Sequence, residues 1–537
     1  MVPSTGRAAA DSAMPTAPRA FRVPPWLFIL VVAGLAWRGV RYGLGFPFWG
    51  DEAYLNINFL HRGPLELIEP LEYAQIAPLL YLWIQWLIYQ VAGGGEYALR
   101  FFSLIAGGAA LVLFAGLARR LLPRPAAFVA TGFFAAGYYL VRHTCESKPY
   151  AGDLLAATAL LAAARPWLER PAAWRPSLSA GLLAVPLVWL SYPAVFVAGG
   201  IGLGLLPAVR RARQRSAWAG WLAFNICAGV SFAAFYVLFA ATHSAQASGS
   251  WLEDYWRDSF PPIHDPAALV WWLVRIHTGR MLAYPVGGAA FGSAFTTLLC
   301  LAGCISLVHR RRGTLVWLLV APALLTVVAA ALRRYPYGGS VRVAIHLAPS
   351  ICLLAGPGAA GLIERLPRGA RRPVLRGALT LLVVLPVLGM IRDVARPYKT
   401  PEDAAIRRVM RRVVATLPPG SVPGVLNPAE GTHGPPDGPA FHQSLRYYLE
   451  LYSGRAPRWR TAGGLDATVT RVLAYHGPTH GPTRERVAAV LAEAGLVVTA
   501  ARAYPLSDRS GMRLVVYTCR PAARVSARRA VYGNSGP

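Results

Sequence analysis

Long apolar stretches recur through the first 391 residues of this chain, and that pattern limits what it can fold into more than any other feature. They run over Trp26–Val40, Tyr97–Leu117, Ala126–Val141, Tyr150–Ala164, Leu178–Leu190, Pro193–Leu206, Ala217–Ala241, Pro285–Val308, Leu315–Leu332, Val343–Ile363 and Val374–Ile391. Several approach the ~20 residues that a helix needs to cross a bilayer, and the shorter ones can extend into their flanks. Leu178–Leu206 is long enough for a helical hairpin that turns at Ser191-Tyr192-Pro193. Only 15% of the 537 residues are charged, against about 25% in an ordinary soluble domain. The pattern therefore predicts a polytopic α-helical membrane protein.

The net charge of +29 is compatible with a nucleic-acid partner. The placement of the charge argues against one. Basic residues cluster at Arg119–Arg124, Arg165–Arg175, Arg210–Arg215, His309–Arg312 and Arg365–Arg372, each in a gap between apolar runs. That is the positive-inside signature, which reports topology. The segment Ala77–Val91 is apolar but broken by Gln85 and Gln90 and rich in Trp and Tyr. If it lies in the interface without crossing, all five clusters share the cytoplasmic side. The expectation is about eleven spans with the amino terminus inside, a twelfth or thirteenth staying open.

This topology places four loops on the outer face: Gly43–Gly95, His143–Pro149, Thr242–Tyr284 and Arg333–Arg342, with everything after Arg392. The organisation expected is a cytoplasmic leader over 1–24, a membrane domain over 25–392, a small α/β domain over 393–521 outside the membrane, and a basic tail over 522–537. The apolar run after the leader has no convincing small-residue cleavage site, which reads as an uncleaved signal anchor. In the α/β part, Pro401–Leu417 and Arg484–Ala494 have helical patterns, Leu496–Ala503 and Met512–Cys519 read as strands, and Asn427–Pro439 reads as loop. Six scattered Cys form no CxxC pair, so neither a disulfide framework nor a zinc site is indicated.

The outer loops hold the conspicuous polar residues. FPFWGDEAYLNINFLHR, directly after the first apolar run, carries the adjacent carboxylates Asp51 and Glu52. Negative charge at a helix start accounts for such a pair as readily as chemistry does; a general base needs only a carboxylate within reach of a hydroxyl. HTCESKPYAGD brings Glu146, Lys148, Tyr150 and Asp153 to the end of one span and the start of the next. These could be interfacial anchors, or Lys148 could contact a phosphate with Glu146 or Asp153 orienting it. RRYPYGGSVR sets Arg333, Arg334 and Arg342 against the positive-inside trend; such arginines pair with lipid headgroups or grip a phosphate bidentately. Leu252–Pro262 reads as an amphipathic interfacial helix with Asp254 and Asp258 on one face. Acid plus phosphate-binding cations on one surface suits group transfer from a membrane-borne phosphate donor to a hydroxyl.

The stretches FWGDEAYL, APLLYLW…GEYALRF, ESKPYAGDLLA, SYPAVFV and YPYGGSVR resemble the bacterial family 39 glycosyltransferases. These belong to the GT-C superfamily, with the protein O-mannosyltransferases and lipid A aminoarabinose transferase. The resemblance covers roughly residues 25–392. It implies a GT-C fold with juxtamembrane helices at Asp51–His61 and Ala77–Val91, a polyprenyl-phosphate-linked sugar as donor, and inverting transfer at the outer face of the bacterial inner membrane. It makes Asp51 the catalytic base with Glu52 as its partner. Lys148, Tyr150 and Arg342 then bind the donor phosphate, and Arg100 and Glu146 support them; the reading of the loops themselves adds Arg334 to the phosphate-binding group and Asp153 to the supporting one. Where relatives often carry His-Pro-Pro or Lys-Pro-Pro, this chain has Gln75-Ile76-Ala77-Pro78, so a cation is missing there and Lys148 and Arg342 carry more of that role. A divalent cation is the one cofactor left open, and the acceptor is a glycan, a lipid or a protein. The competing expectations are a flippase or transporter for a lipid-linked sugar and a non-catalytic envelope scaffold. Few mid-membrane charges and no internal repeat count against a transporter.

Overall fold

The computed structural model describes residues 24–243, 255–279, 281–282, 284–285, 291–419, 421, 423–426, 441–454, 458–459, 469–476, 484–508 and 511–522. The leader up to 23, Asp254, the loop Asn427–Pro439 and the tail beyond 522 lie outside the described residues.

Each apolar segment carries helix. The elements of the bundle are α1 (Pro25–Gly43), α2 (Gly50–His61), α3 (Leu79–Ala92), α4 (Glu96–Leu121), α5 (Arg124–Ala136), α6 (Tyr138–His143), α7 (Tyr150–Glu169), α8 (Trp174–Leu190), α9 (Ala194–Ala212) and α10 (Arg215–Phe235). They continue as α11 (Pro266–Thr278), α12 (Ala294–His309), α13 (Gly313–Ala331), α14 (Ala348–Glu364) and α15 (Arg368–Ala395). Among the described residues, seven helical stretches are long and apolar enough to cross a membrane: Pro25–Gly43, Glu96–Leu121, Ala194–Ala212, Arg215–His243, Gly313–Ala331, Ile345–Glu364 and Arg368–Ala395. The protein is thus a multi-pass membrane protein. The segment at Ala126–Val141 is split at Gly137 into α5 and α6, and the expected hairpin turns between Leu190 and Ala194.

Burial separates central from peripheral helices. The apolar window of Ile345–Glu364 is 83% buried inside the molecule and that of Arg368–Ala395 only 17%, so α14 is central and α15 faces outward. Exposed Phe28, Leu87, Val230, Leu298 and Ile391 are the kind of surface that lipid covers. Where α12 crosses α14, small residues let the backbones touch. A Cβ on Gly303 would lie 1.9 Å from the Leu354 carbonyl oxygen, and one on Gly358 as close to that of Leu299.

Two ion pairs and a shared cavity fix which helix ends meet. Arg41, near the end of α1, is paired with Asp393, near the end of α15, at 2.7 Å. The first and last long helices therefore leave the bundle at the same end, which brings the first loop and the C-terminal region together. At the opposite end Arg310 pairs with Glu364 at 2.7 Å. Residues from the basic clusters near 121, 170, 211 and 312 line one cavity there. The alternation read from charge is thus built into the packing.

At 14 residues, α3 spans about 21 Å, short of a hydrocarbon core of about 30 Å. Gln75, just before it, bonds Lys148, and Gly94, just after it, accepts a bond from Tyr447 at 2.7 Å. Both flanks are held at the Asp51 end.

The C-terminal region is a five-stranded sheet with helices α16 (Pro401–Val414), α17 (Phe441–Ser453) and α18 (Arg484–Glu493). The strands β1 (Gly424–Val425), β2 (Arg458–Trp459), β3 (Arg471–His476), β4 (Leu496–Pro505) and β5 (Arg513–Pro521) lie in the order β2-β1-β3-β5-β4. The pairs around β1 are parallel and those around β5 antiparallel. The helices and strands expected near 401, 484, 496 and 512 are present. Three strands and α17 are additional. Helix α17 joins this region to the first loop: Tyr448 accepts from Phe48 N–H at 2.7 Å and donates to Glu96 at 2.6 Å. Arg446 meets Glu72 at 2.6 Å, and His61 pairs with Glu450.

Candidate active site

The loop after α1 turns into α2 at Trp49, whose backbone N–H bonds the Glu52 carboxylate in a capping arrangement (3.4 Å). Adjacent positions on a helix point about 100° apart, so Asp51 and Glu52 cannot face the same partners. Glu52 points inward and is fully buried. Arg100, from the first turn of α4, forks onto it with contacts of 2.8 and 2.6 Å, and the Ser147 N–H adds a third at 2.7 Å. Arg100 is itself filled by Phe46 O (2.6 Å) and Pro47 O (3.3 Å), with the Phe46 ring against its guanidinium. This buried pair ties the first loop, α4 and the loop before α7 into one block.

Asp51 turns the other way and is 21% exposed. Lys148 lies 3.1 Å from one of its oxygens and Arg342 2.8 Å from the other. Burial would raise the Asp51 carboxyl, but Lys148, Arg342 and Lys399 outweigh it and hold it below the ordinary carboxylate value. Lys148 also donates to Gln75 Oε1 at 2.8 Å. The neutral Gln75 therefore orients a cation supplied from the loop His143–Pro149. Arg342 donates to the Tyr255 hydroxyl at 2.8 Å and lies against Trp256. The interfacial helix expected over Leu252–Pro262 is, in its described part, a single turn, Arg257–Ser259, and the aromatic residues there buttress Arg342. Asp258 pairs with Arg275 at 3.7 Å.

Glu146 is buried beside His143 (3.1 Å) and Lys399 (3.4 Å). Burial opposes its charge, yet Lys399, His143 and Arg142 keep its carboxyl well below the usual range. Tyr150 opens α7 with its ring edge-on to His143 at 5.6 Å and neighbours Arg342. Asp153 is buried one turn further along, beside Ser191. Arg334 is exposed, and among the described residues its side chain joins neither Asp51 nor Glu146.

Lys399 is a site residue that sequence reasoning missed. It immediately precedes the N-cap of α16. There Thr400 and Asp403 bond reciprocally at 3.1 and 3.3 Å and fix the backbone. Its ammonium sits over the Trp49 ring and next to Glu146. Burial lowers it to about 8, with Glu146 opposing. The capping pattern T-x-x-D is visible in the sequence. That it delivers a lysine 348 positions from Asp51 is not.

The arrangement is an ionised carboxylate ringed by three cations at one end of a membrane bundle. It can accept a proton and bind a phosphate anion. Among the described residues no three His, Cys, Asp or Glu side chains come together as a metal site. Glu52 is filled by Arg100 and backbone N–H groups, so the acidic pair does not present a metal ligand set.

No family model matches the chain, and no curated protein does. Solved structures do. The crystal structure of ArnT from Cupriavidus metallidurans bound to undecaprenyl phosphate aligns with a TM-score of 0.54 at 12% identity, over 92% of this chain and 98% of that one. The apo state of the same protein aligns with a TM-score of 0.52 at 12% identity, over 92% and 97%. At that identity the likeness speaks to architecture, and it covers nearly the whole of both chains: this protein has the GT-C fold that its loop motifs resemble.

Proposed function

We propose that the protein is an integral-membrane glycosyltransferase. It moves a hexosyl or pentosyl group from a polyprenyl-phosphate donor to a hydroxyl on a glycan, lipid or protein acceptor, with inversion. The reaction takes place at the outer face of the bacterial inner membrane. The observation that carries this reading is Asp51, held ionised between Lys148 and Arg342 at one end of the bundle. It is supported by the fold, one of whose neighbours was crystallised with undecaprenyl phosphate.

In this reading the donor phosphate draws Lys148, Arg342 and Lys399 toward itself. Asp51 loses part of the positive field that depresses its basicity, so donor binding arms the base. The acceptor oxygen attacks the anomeric carbon, its proton passes to Asp51, and the bond from that carbon to the phosphate oxygen breaks. The polyprenyl phosphate leaves with its added charge offset by the three cations. Tyr150 orients Arg342. Glu146 orients Lys399. Glu52 and Arg100 position the turn that carries Asp51, and Arg334 has no part in this reading.

The test is transfer from a radiolabelled polyprenyl-phosphate sugar by the full chain in proteoliposomes. Asp51→Asn should lose transfer while still binding donor. Wild-type turnover in that variant would overturn the proposal.

A further inference from the structure

At the end of the bundle away from Asp51, the tips of α4, α7 and α9 and the turn from α12 to α13 border an open cavity of about 930 Å³. This falls within the ~300–1,000 Å³ typical of ligand sites. Four arginines line it: Arg170, Arg211, Arg311 and Arg312. The one carboxylate on its wall, Glu169, is engaged with Arg165 at 2.7 Å. Buried Leu121 and Leu315 make part of its apolar floor.

Topology explains why basic residues are plentiful at this end. It does not require any of them to be pinned at one concavity, since an arginine that only marks topology is free to extend into water. Two of them are held in place. Arg211 donates from Nε to Pro207 O at 3.1 Å and from Nη2 to Thr314, and Arg312 donates to Leu121 O. Each keeps further N–H donors for another acceptor. Burial pulls the Arg312 guanidinium below its ordinary value, with Glu169 partly opposing. Four cations around a half-apolar cavity repel one another until an anion enters, and guanidinium suits phosphate oxygens in particular.

We infer that this cavity binds a phosphate-bearing anion, namely the headgroup of an anionic phospholipid from the leaflet at that end. The apolar floor takes the glycerol and the first carbons of the chains.

The full chain in detergent is titrated with phosphatidylglycerol, with phosphatidylcholine and with inorganic phosphate, following thermal unfolding and lipid retention by native mass spectrometry. The variant is Arg170→Gln with Arg311→Gln. Both residues are exposed, and no side-chain hydrogen bond of either is seen among the described residues, so the fold should be kept. Phosphatidylglycerol should bind and stabilise the wild type, with affinity lowered about tenfold in the double variant, or ~1.4 kcal/mol. An equal, variant-sensitive response to inorganic phosphate would confirm the phosphate chemistry and assign it to a soluble anion. Equal responses to phosphatidylcholine, or unchanged phosphatidylglycerol binding in the variant, would overturn the inference.

Discussion

At the Asp51 end of the bundle, Arg100 and Arg342 each meet a carboxylate and hold it in a set direction. At the far end, Arg170, Arg211, Arg311 and Arg312 share a cavity whose single carboxylate is already engaged by Arg165. The same residue type thus locks backbone to backbone at one end and leaves an unbalanced positive field at the other. The contrast is finer still within the first region. Glu52 and Asp51 are neighbours in sequence, yet one is sealed by a guanidinium fork and the other, partly exposed, lies between Lys148 and Arg342.

The largest effect that would break this contrast is on turnover. Asp51→Asn should lower transfer by about 10²–10⁴-fold, the range for losing a general base, with thermal stability near wild type. Steady-state transfer and a melting curve on the same sample check it. Glu52→Gln should do the reverse and act first on the fold. Removing one partner of a buried ion pair costs about 3–5 kcal/mol, because the remaining charge stays unsolvated. A variant that melts like wild type but fails in transfer would instead move Glu52 into the chemistry.

Lys399 sharpens the boundary between the two roles. With its ammonium lowered to about 8, its charge is present below that pH and is lost as pH rises through it. Transfer at low donor concentration should therefore fall on the alkaline side. Lys399→Met should flatten that limb by lowering the plateau, and Lys399→Arg should carry the plateau to higher pH. A limb that stays put in both variants would remove Lys399 from phosphate binding.

The smallest effect concerns the contact between the C-terminal region and the first loop. The Glu450 hydrogen bond raises His61, against burial, so the folded protein holds that proton more tightly than the unfolded chain does. The stabilisation is fully present below the unfolded value of about 6.5 and fades as pH climbs through the raised folded value. Half-exposed His61 makes this modest. Limited proteolysis after Ala395 should quicken with rising pH in the wild type and lose most of that dependence in His61→Gln.

How far the sequence could be read depends on the range of each interaction. Hydropathy and the positive-inside pattern are properties of single segments, so the helical membrane class, the grouping of the polar loops at one end and the strands near 496 and 512 were legible. So was the acidic pair Asp51-Glu52 at a helix start, a local motif. Helix α17 carried a usable signal, with Leu445, Tyr448 and Leu449 at helical spacing. Its role was not legible, because the partners of Tyr448 sit at Phe48 and Glu96.

Residue order alone set the number of apolar segments, the alternation of basic and polar loops along the chain and the presence of an acidic pair beside an apolar run. Each is governed by local composition and by the cost of placing charge in lipid. Packing chose that Glu52 faces Arg100 while Asp51 faces Lys148 and Arg342, and that Arg334 stays outside. Packing also brought Lys399 in from beyond the last helix of the bundle and gathered four basic loops beside one open cavity. Those outcomes depend on contacts between residues tens to hundreds of positions apart, and such contacts exist only once the helices have come together.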